Sequence, residues 1–130
     1  MVHYIDTSAL VKLVVHEAET EALRSWIERQ SPTLVSSDLA RTELVRAVRR
    51  IAPAKALQCR AVLDSIILTS VATATFEAAG RLDPPLLRTL DSIHLATALE
   101  LGDELDAMVT YDDRLAEAAK VNGISVTAPA

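Results

Sequence analysis

Residues 2–10 read VHYIDTSAL, an apolar, strand-like run that ends in a carboxylate, Asp6, followed at once by two hydroxyls, Thr7 and Ser8. Asp is among the best residues for starting a helix, because its oxygen accepts a backbone N–H that the first turn leaves unpaired. The plain reading is therefore a strand that runs straight into a helix cap. The rest of the chain repeats this grammar, and the repetition sets the fold class.

Four short runs have the length and β-branched content of strands: VHYI (2–5), TLVSS (33–37), AMVT (107–110) and ISVT (124–127). Between them lie five helical patterns: EAETEALRSWIERQ (17–30), DLARTELVRAVRRIA (38–52), PAKALQCRAVLDSI (53–66), ATFEAAGRL (74–82) and RTLDSIHLATALELG (88–102). Strands alternating with helices predict an α/β fold with a mostly parallel sheet. Pro53 and the Pro84-Pro85 pair punctuate the series, and Gly102 and Gly123 follow helical runs where a C-terminal glycine is expected. A length of 130 residues without linker, repeat or low-complexity stretch points to one domain over 1–130, flanking helices included.

Composition narrows the setting. A single cysteine, Cys59, allows no intramolecular disulfide, so a reducing, cytoplasmic location is expected. The N-terminal apolar stretch is broken by Asp6 and Lys12 and has no basic leader, which reads as neither a signal peptide nor a membrane span. A formal net charge of −5 argues against coating nucleic acid by bulk electrostatics. Positive charge is nevertheless concentrated locally: Arg41, Arg46, Arg49, Arg50, Lys55 and Arg60 face only Glu43 between positions 41 and 60. That cluster is either a solvated helical face or a phosphate-facing surface. Aromatic residues make up 3% of the chain, too few for base-stacking platforms, so a bound nucleic acid would be read through its backbone and shape.

The helix after Leu90 carries Ile93, Leu95, Ala96, Ala98, Leu99 and Leu101 with no continuous polar face, the pattern of a buried helix. Asp91, Ser92 and His94 lie in its first turn, and His94 alone reads more readily as a satisfied core or rim histidine than as a metal ligand.

Three acids sit at junctions. Asp6 ends the first strand, Asp91 opens the buried helix, and Asp112 follows the third predicted strand in VTYDDRL. Each taken singly is a helix cap. In a parallel sheet with right-handed crossovers, however, strand-to-helix junctions share the carboxyl edge, where open α/β sheets bind ligands. Glu43 supplies a fourth acid from the border of the apolar stripe Leu39, Ala40, Leu44, Ala47, Val48 and Ile51. Its structural alternative is a surface pair with Arg46 or Arg50, worth a few tenths of a kcal/mol. Converging carboxylates raise one another's pKa and need a neutralising cation. An oxygen-only donor set selects Mg²⁺ or Mn²⁺ over zinc, and the use such clusters point to is hydrolysis of a phosphate ester.

The order DTSAL, RTEL, LDSIHLATAL, VTYDDRL resembles the PIN domain, and specifically the VapC-type toxins of bacterial toxin–antitoxin modules, from Asp6 to the C-terminus. The resemblance implies a Mg²⁺- or Mn²⁺-dependent endoribonuclease in which Asp6, Asp91 and Asp112 hold the ion and Glu43 acts through it or its water. It further implies an auxiliary role for Thr7 or Ser8 in orienting water or a phosphate oxygen. Of the two adjacent acids, Asp112 is the expected ligand, because the family's acid falls two residues after a Thr such as Thr110. Asp113 is then an auxiliary ligand or a helix-start residue favoured by the macrodipole. Arg41, Arg46, Arg49 and Arg50 are the candidate RNA contacts. The implied partners are a cognate VapB-like antitoxin and a second copy of the chain. Two other readings compete: a haloacid-dehalogenase-like phosphatase, disfavoured because Ser8 stands where that family places a second Asp, and a non-catalytic interaction module whose acids are only caps.

Overall fold

A computed structural model describes residues 1–130. Five strands form one sheet: β1 (Val2–Ile5), β2 (Thr33–Ser37), β3 (Ile67–Thr69), β4 (Leu105–Val109) and β5 (Val126–Thr127). Their order is β3-β2-β1-β4-β5, and every neighbouring pair is parallel. Seven α-helices join them: α1 (Thr7–Val14), α2 (Thr20–Gln30), α3 (Leu39–Ile51), α4 (Ala56–Asp64), α5 (Thr73–Gly80), α6 (Thr89–Leu99) and α7 (Asp113–Val121). No helix is long and apolar enough to cross a membrane.

The expected α/β class and parallel sheet are observed, and so are all four predicted strands, although AMVT belongs to a strand that begins at Leu105, and only Val126–Thr127 of ISVT is paired. Three elements go beyond the sequence reading. Strand β3 follows α4 within DSIILTSV, where Asp64 and Ser65 end the helix but read equally as part of its polar face. Helices α1 and α7 fill the junctions after Asp6 and Asp112, where the sequence showed only the caps. The predicted helix over 53–66 is a 3₁₀ turn, Pro53–Lys55, leading into α4, as expected where proline opens a helix.

Alternation along the strands divides the core between the two faces of the sheet. Ile5 and Val109 join α1, α2, α3 and α4 on one face through Leu10, Leu23, Leu44 and Leu63. Tyr4 and Met108, their neighbours in sequence, join α6 and α7 on the other through Leu95 and Leu115. Helix α6 is buried from Ser92 to Ala98, as its all-round apolar pattern predicts. Helix α7 closes at Gly123, whose φ of +82° is open to glycine at no steric cost. There the Ile124 N–H reaches the Ala119 carbonyl at 2.9 Å and the Gly123 N–H reaches Lys120 at 3.0 Å, a paired termination that turns the apolar Ile124 back onto the core.

The chain leaves β1 toward β2 on one side and reaches β4 on the other. The direction of winding therefore reverses between β1 and β4, which is where doubly wound sheets open a crevice at their carboxyl ends. Leu44, fully buried one residue beyond Glu43, anchors α3 beside that crevice. Leu44→Ala should lower the unfolding free energy by about 2–5 kcal/mol. A urea titration would read this as an earlier midpoint with an unchanged slope.

Candidate active site

Asp6 leaves the carboxyl end of β1 as the N-cap of α1, with its side chain buried at 3% exposure. Its oxygens accept hydrogen bonds from Ser8 Oγ at 2.7 and 2.9 Å, from the Ala9 N–H at 3.1 Å and from Thr110 Oγ1 at 2.7 Å. Thr110 ends β4, so the cap of one helix is fastened to the neighbouring strand. Thr110 Oγ1 also accepts the Asp112 N–H at 3.1 Å, and Ser8 Oγ accepts the Tyr111 N–H at 3.0 Å. Two hydroxyls thereby tie the β1–α1 and β4–α7 junctions together across the switch point. Burial pushes the Asp6 carboxyl above its usual range, and the bonds from Ser8, Thr110 and Ala9 offset only part of that.

Asp112 caps α7, its Oδ1 accepting the N–H groups of Arg114 and Leu115 at 2.9 and 3.1 Å. Its other oxygen faces Arg88: the guanidinium donates to Asp112 Oδ2 at 2.8 Å and to Asp91 Oδ2 at 3.1 Å. Asp91, in the first turn of α6, is raised by burial and by the nearby Asp112, and lowered by Arg88. Two carboxylates from different helices thus flank one cation. Asp113 is exposed at the start of α7, one residue outside this arrangement.

Glu43 reaches the same edge from α3. It makes no ion pair with Arg46 or Arg50. Its Oε1 instead accepts Thr7 Oγ1 at 2.9 Å and lies 2.5 Å from His94 Nε2. Burial would raise the Glu43 carboxyl, but the bonds from His94 and Thr7 outweigh it and hold the group below its usual value. The consecutive hydroxyls Thr7 and Ser8 therefore serve different carboxylates, Thr7 that of Glu43 and Ser8 that of Asp6.

All four predicted acids thus meet at one edge, although no three of them form a preassembled cage around a point. The acid donors are all oxygen, and Asp91 and Asp112 already bracket a positive group, an arrangement able to face a cation. Arg41 is paired with Asp38 at 2.9 Å. By contrast Arg46, Arg49 and Arg50 line a cleft of about 240 Å³ with no acidic side chain in its walls, the first of them one helical turn beyond Glu43.

Residues 3–121 match the family model described as the PIN domain. The chain belongs to the PIN-domain family. This PIN domain is 45% identical over 126 residues to ribonuclease VapC46 of Mycobacterium tuberculosis, covering 97% of the chain and 96% of that protein. Its fold is similar to that of M. tuberculosis VapC20, a toxin that cleaves the sarcin-ricin loop, with a TM-score of 0.76 at 15% identity over 98% of this chain and 99% of VapC20. It is also similar to a chain of a toxin–antitoxin complex from Klebsiella pneumoniae, with a TM-score of 0.74 at 19% identity and 98% coverage of both chains.

Sequence reasoning about this PIN domain missed Arg88, which bonds Asp91 and Asp112, and, for a His94 read as a satisfied core or rim histidine, missed its partners Glu43 and Tyr4. Arg88 and His94 each stand three residues from Asp91, the spacing that places side chains on one helix face, and that signal was available. Tyr4 looked like an ordinary core residue of an apolar strand.

The raised Asp6 carboxyl has a direct thermodynamic consequence. A folded-state pKa above the unfolded one means that the native protein binds the proton more readily. Stability therefore falls as pH rises from the unfolded value through the folded one. Asp6→Asn should raise the Tm of the protein in EDTA at neutral pH by on the order of a few degrees, the response to roughly 1 kcal/mol in a chain of this size. Differential scanning at decreasing pH should show the gap closing as wild-type Asp6 takes up its proton.

Proposed function

We propose that this protein is a divalent-metal-dependent endoribonuclease and the toxin of a toxin–antitoxin pair. The observation that carries the proposal is the bonded chain Asp6–Thr110–Asp112–Arg88–Asp91 at the switch point of the sheet, in a chain closely similar to a protein named as a ribonuclease. In this reading Asp6, Asp91 and Asp112 hold Mg²⁺, with Mn²⁺ as a substitute, and Glu43 completes the catalytic set. A bound ion of this kind supplies charge to a phosphodiester oxygen and lowers the pKa of water.

The chain's own groups account for the remaining needs of the reaction. Glu43 is kept ionised by His94 and Thr7, both of which engage Oε1. Its Oε2 is left to accept a proton from the attacking water, a role worth roughly 10²–10⁴ in rate. Asp6 is immobilised by bonds from α1 and β4, so it contributes a fixed negative charge with little reorganisation. Thr7, Ser8 and Thr110 orient the carboxylates, and Asp113 is auxiliary. In-line attack of water on phosphorus expels the 3′ oxygen and leaves a 5′-phosphate and a 3′-hydroxyl.

Arg46, Arg49 and Arg50 extend the surface with positive charge suited to successive phosphates, while Arg41, already paired with Asp38, contributes less. Exposed apolar side chains, among them Leu57 at 84% and Leu86 at 94%, support surfaces covered by protein partners. In this reading the partners are a second copy of the chain and a VapB-like antitoxin, both acting in the cytoplasm.

Purified protein incubated with total cellular RNA should give discrete cuts with Mg²⁺ or Mn²⁺ and none in EDTA, and the products should carry 5′-phosphates. Asp6→Asn and Glu43→Gln should each lose roughly 10²–10⁴ of the rate. Ends bearing 2′,3′-cyclic phosphate would overturn the mechanism. Replacing Arg46, Arg49 and Arg50 together by Ala should raise KM with kcat little changed. It should also flatten the salt dependence of binding by up to about three in log–log slope, near one for each lost phosphate contact.

A further inference from the structure

His94 is 1% exposed on a helix that is otherwise lined with apolar and small side chains, yet both of its ring nitrogens are engaged. Nδ1 lies 2.6 Å from the hydroxyl of Tyr4, itself fully buried, and Nε2 lies 2.5 Å from Glu43 Oε1. The ring packs edge-on to the Tyr4 ring, with centroids 5.7 Å apart and planes at 71°. A leucine would fill this position without a buried polar group to satisfy. The arrangement instead runs from the middle of the sheet, through α6, to the one acid of the site that comes from α3.

We propose that Tyr4 and His94 form a hydrogen-bond relay that positions Glu43, with the Tyr4 hydroxyl and the Glu43 carboxylate together fixing one ring tautomer and orientation. A neutral imidazole has one donor and one acceptor. A phenol is un-ionised at neutral pH, so Tyr4 is an O–H donor at the 2.6 Å contact with Nδ1. Its proton occupies the Nδ1 lone pair, which leaves the ring proton on Nε2, facing the carboxylate. Thr7 donates to the same oxygen from α1. Oε1 is thereby held by two donors, and Oε2 is left without a donor from the protein. The Glu43 carboxylate requires the same Nε2 proton, so both partners enforce one tautomer and one ring orientation. Without the Tyr4 hydroxyl the buried Nδ1 lone pair has no donor, the ring is no longer held from behind, and the acid loses its fixed orientation. Tyr4 and His94 are positioning residues and do not touch substrate, much as the outer partners of a ligating side chain fix its tautomer and direction.

The effect on catalysis rests on the ribonuclease reading, whereas the tautomer does not. The first measurement is ¹⁵N NMR of the ring nitrogens of His94 in the full-length protein, without metal, at neutral pH. The expected result is a protonated Nε2 and a bare, hydrogen-bonded Nδ1 in the wild type, with the Nδ1 resonance of Tyr4→Phe shifted by loss of that bond. A wild-type ring carrying its proton on Nδ1, or a Tyr4→Phe ring identical to wild type, would overturn the relay whether or not the protein cuts RNA.

The second measurement is steady-state cleavage with Mg²⁺. His94→Leu should lower kcat by roughly 10–100-fold with KM little changed. His94→Gln, which keeps an amide donor on a similar reach, should recover part of that loss, and Tyr4→Phe should fall between the two. Equal rates for His94→Leu and wild type, or no recovery in the glutamine variant, would reduce the contact to a structural one. Absence of cleavage by the wild type would count against the ribonuclease reading and leave the ring measurement to decide the relay.

Discussion

A carboxylate buried at the end of a central strand is the constraint on which the rest of this structure depends. Asp6 cannot be solvated where it sits, and burying an unpaired charge is among the most costly things a fold can do. The chain answers with donors from separate elements: the Ser8 hydroxyl and Ala9 amide of α1, and the Thr110 hydroxyl at the end of β4. Those same hydroxyls accept the amides of Tyr111 and Asp112, so satisfying the carboxylate also sets where β4 ends and α7 begins. The junctions on either side of the switch point are therefore one bonded unit, and the geometry of Asp112 follows from the needs of Asp6.

The remaining charges are arranged around that unit by different means. Asp91 and Asp112 approach one another because Arg88 stands between them, but the guanidinium is largely exposed. Water screens such a pair, so it binds weakly and can be exchanged for another cation. Glu43 has no cation of comparable freedom. Its partners are the hydroxyl of Thr7 and a ring locked in the core, which makes it the more rigidly aimed of the acids. One part of the site is thus adaptable and another is fixed, a division suited to receiving an ion on one side while holding a proton acceptor still on the other.

How far the sequence reveals this depends on the range of each interaction. The α/β class was legible because VHYI and TLVSS are short, β-rich runs separated by helical periodicity. The shared edge for Asp6, Asp91 and Asp112 was legible because topology alone brings strand ends together. Strand β3 was not, since three residues offer no period to count and the Asp64-Ser65 pair before them reads equally as part of a helix. Helix α1 was hidden for the opposite reason: ALVKLV continues the apolar character of the strand before it, and only Asp6 marks the change. The partner of Glu43 was not legible, because arginines three and seven residues away on its own helix offer a local pairing and the histidine that bonds it lies 51 residues distant. Contacts made across the sheet leave no local trace, and the Tyr4–His94 contact, between residues 90 apart, is the extreme case.

The sheet tapers outward. Its central strands, β1, β2 and β4, run for four or five residues, whereas its outer strands, β3 and β5, have three and two. An outer strand exposes a row of unpaired amides and carbonyls that can template the addition of another chain, and a long, flat edge invites aggregation. With so few residues on either margin, a stray strand finds little ladder to join. A chain that is half apolar by composition is thereby guarded at the two places where its backbone would otherwise be most adhesive.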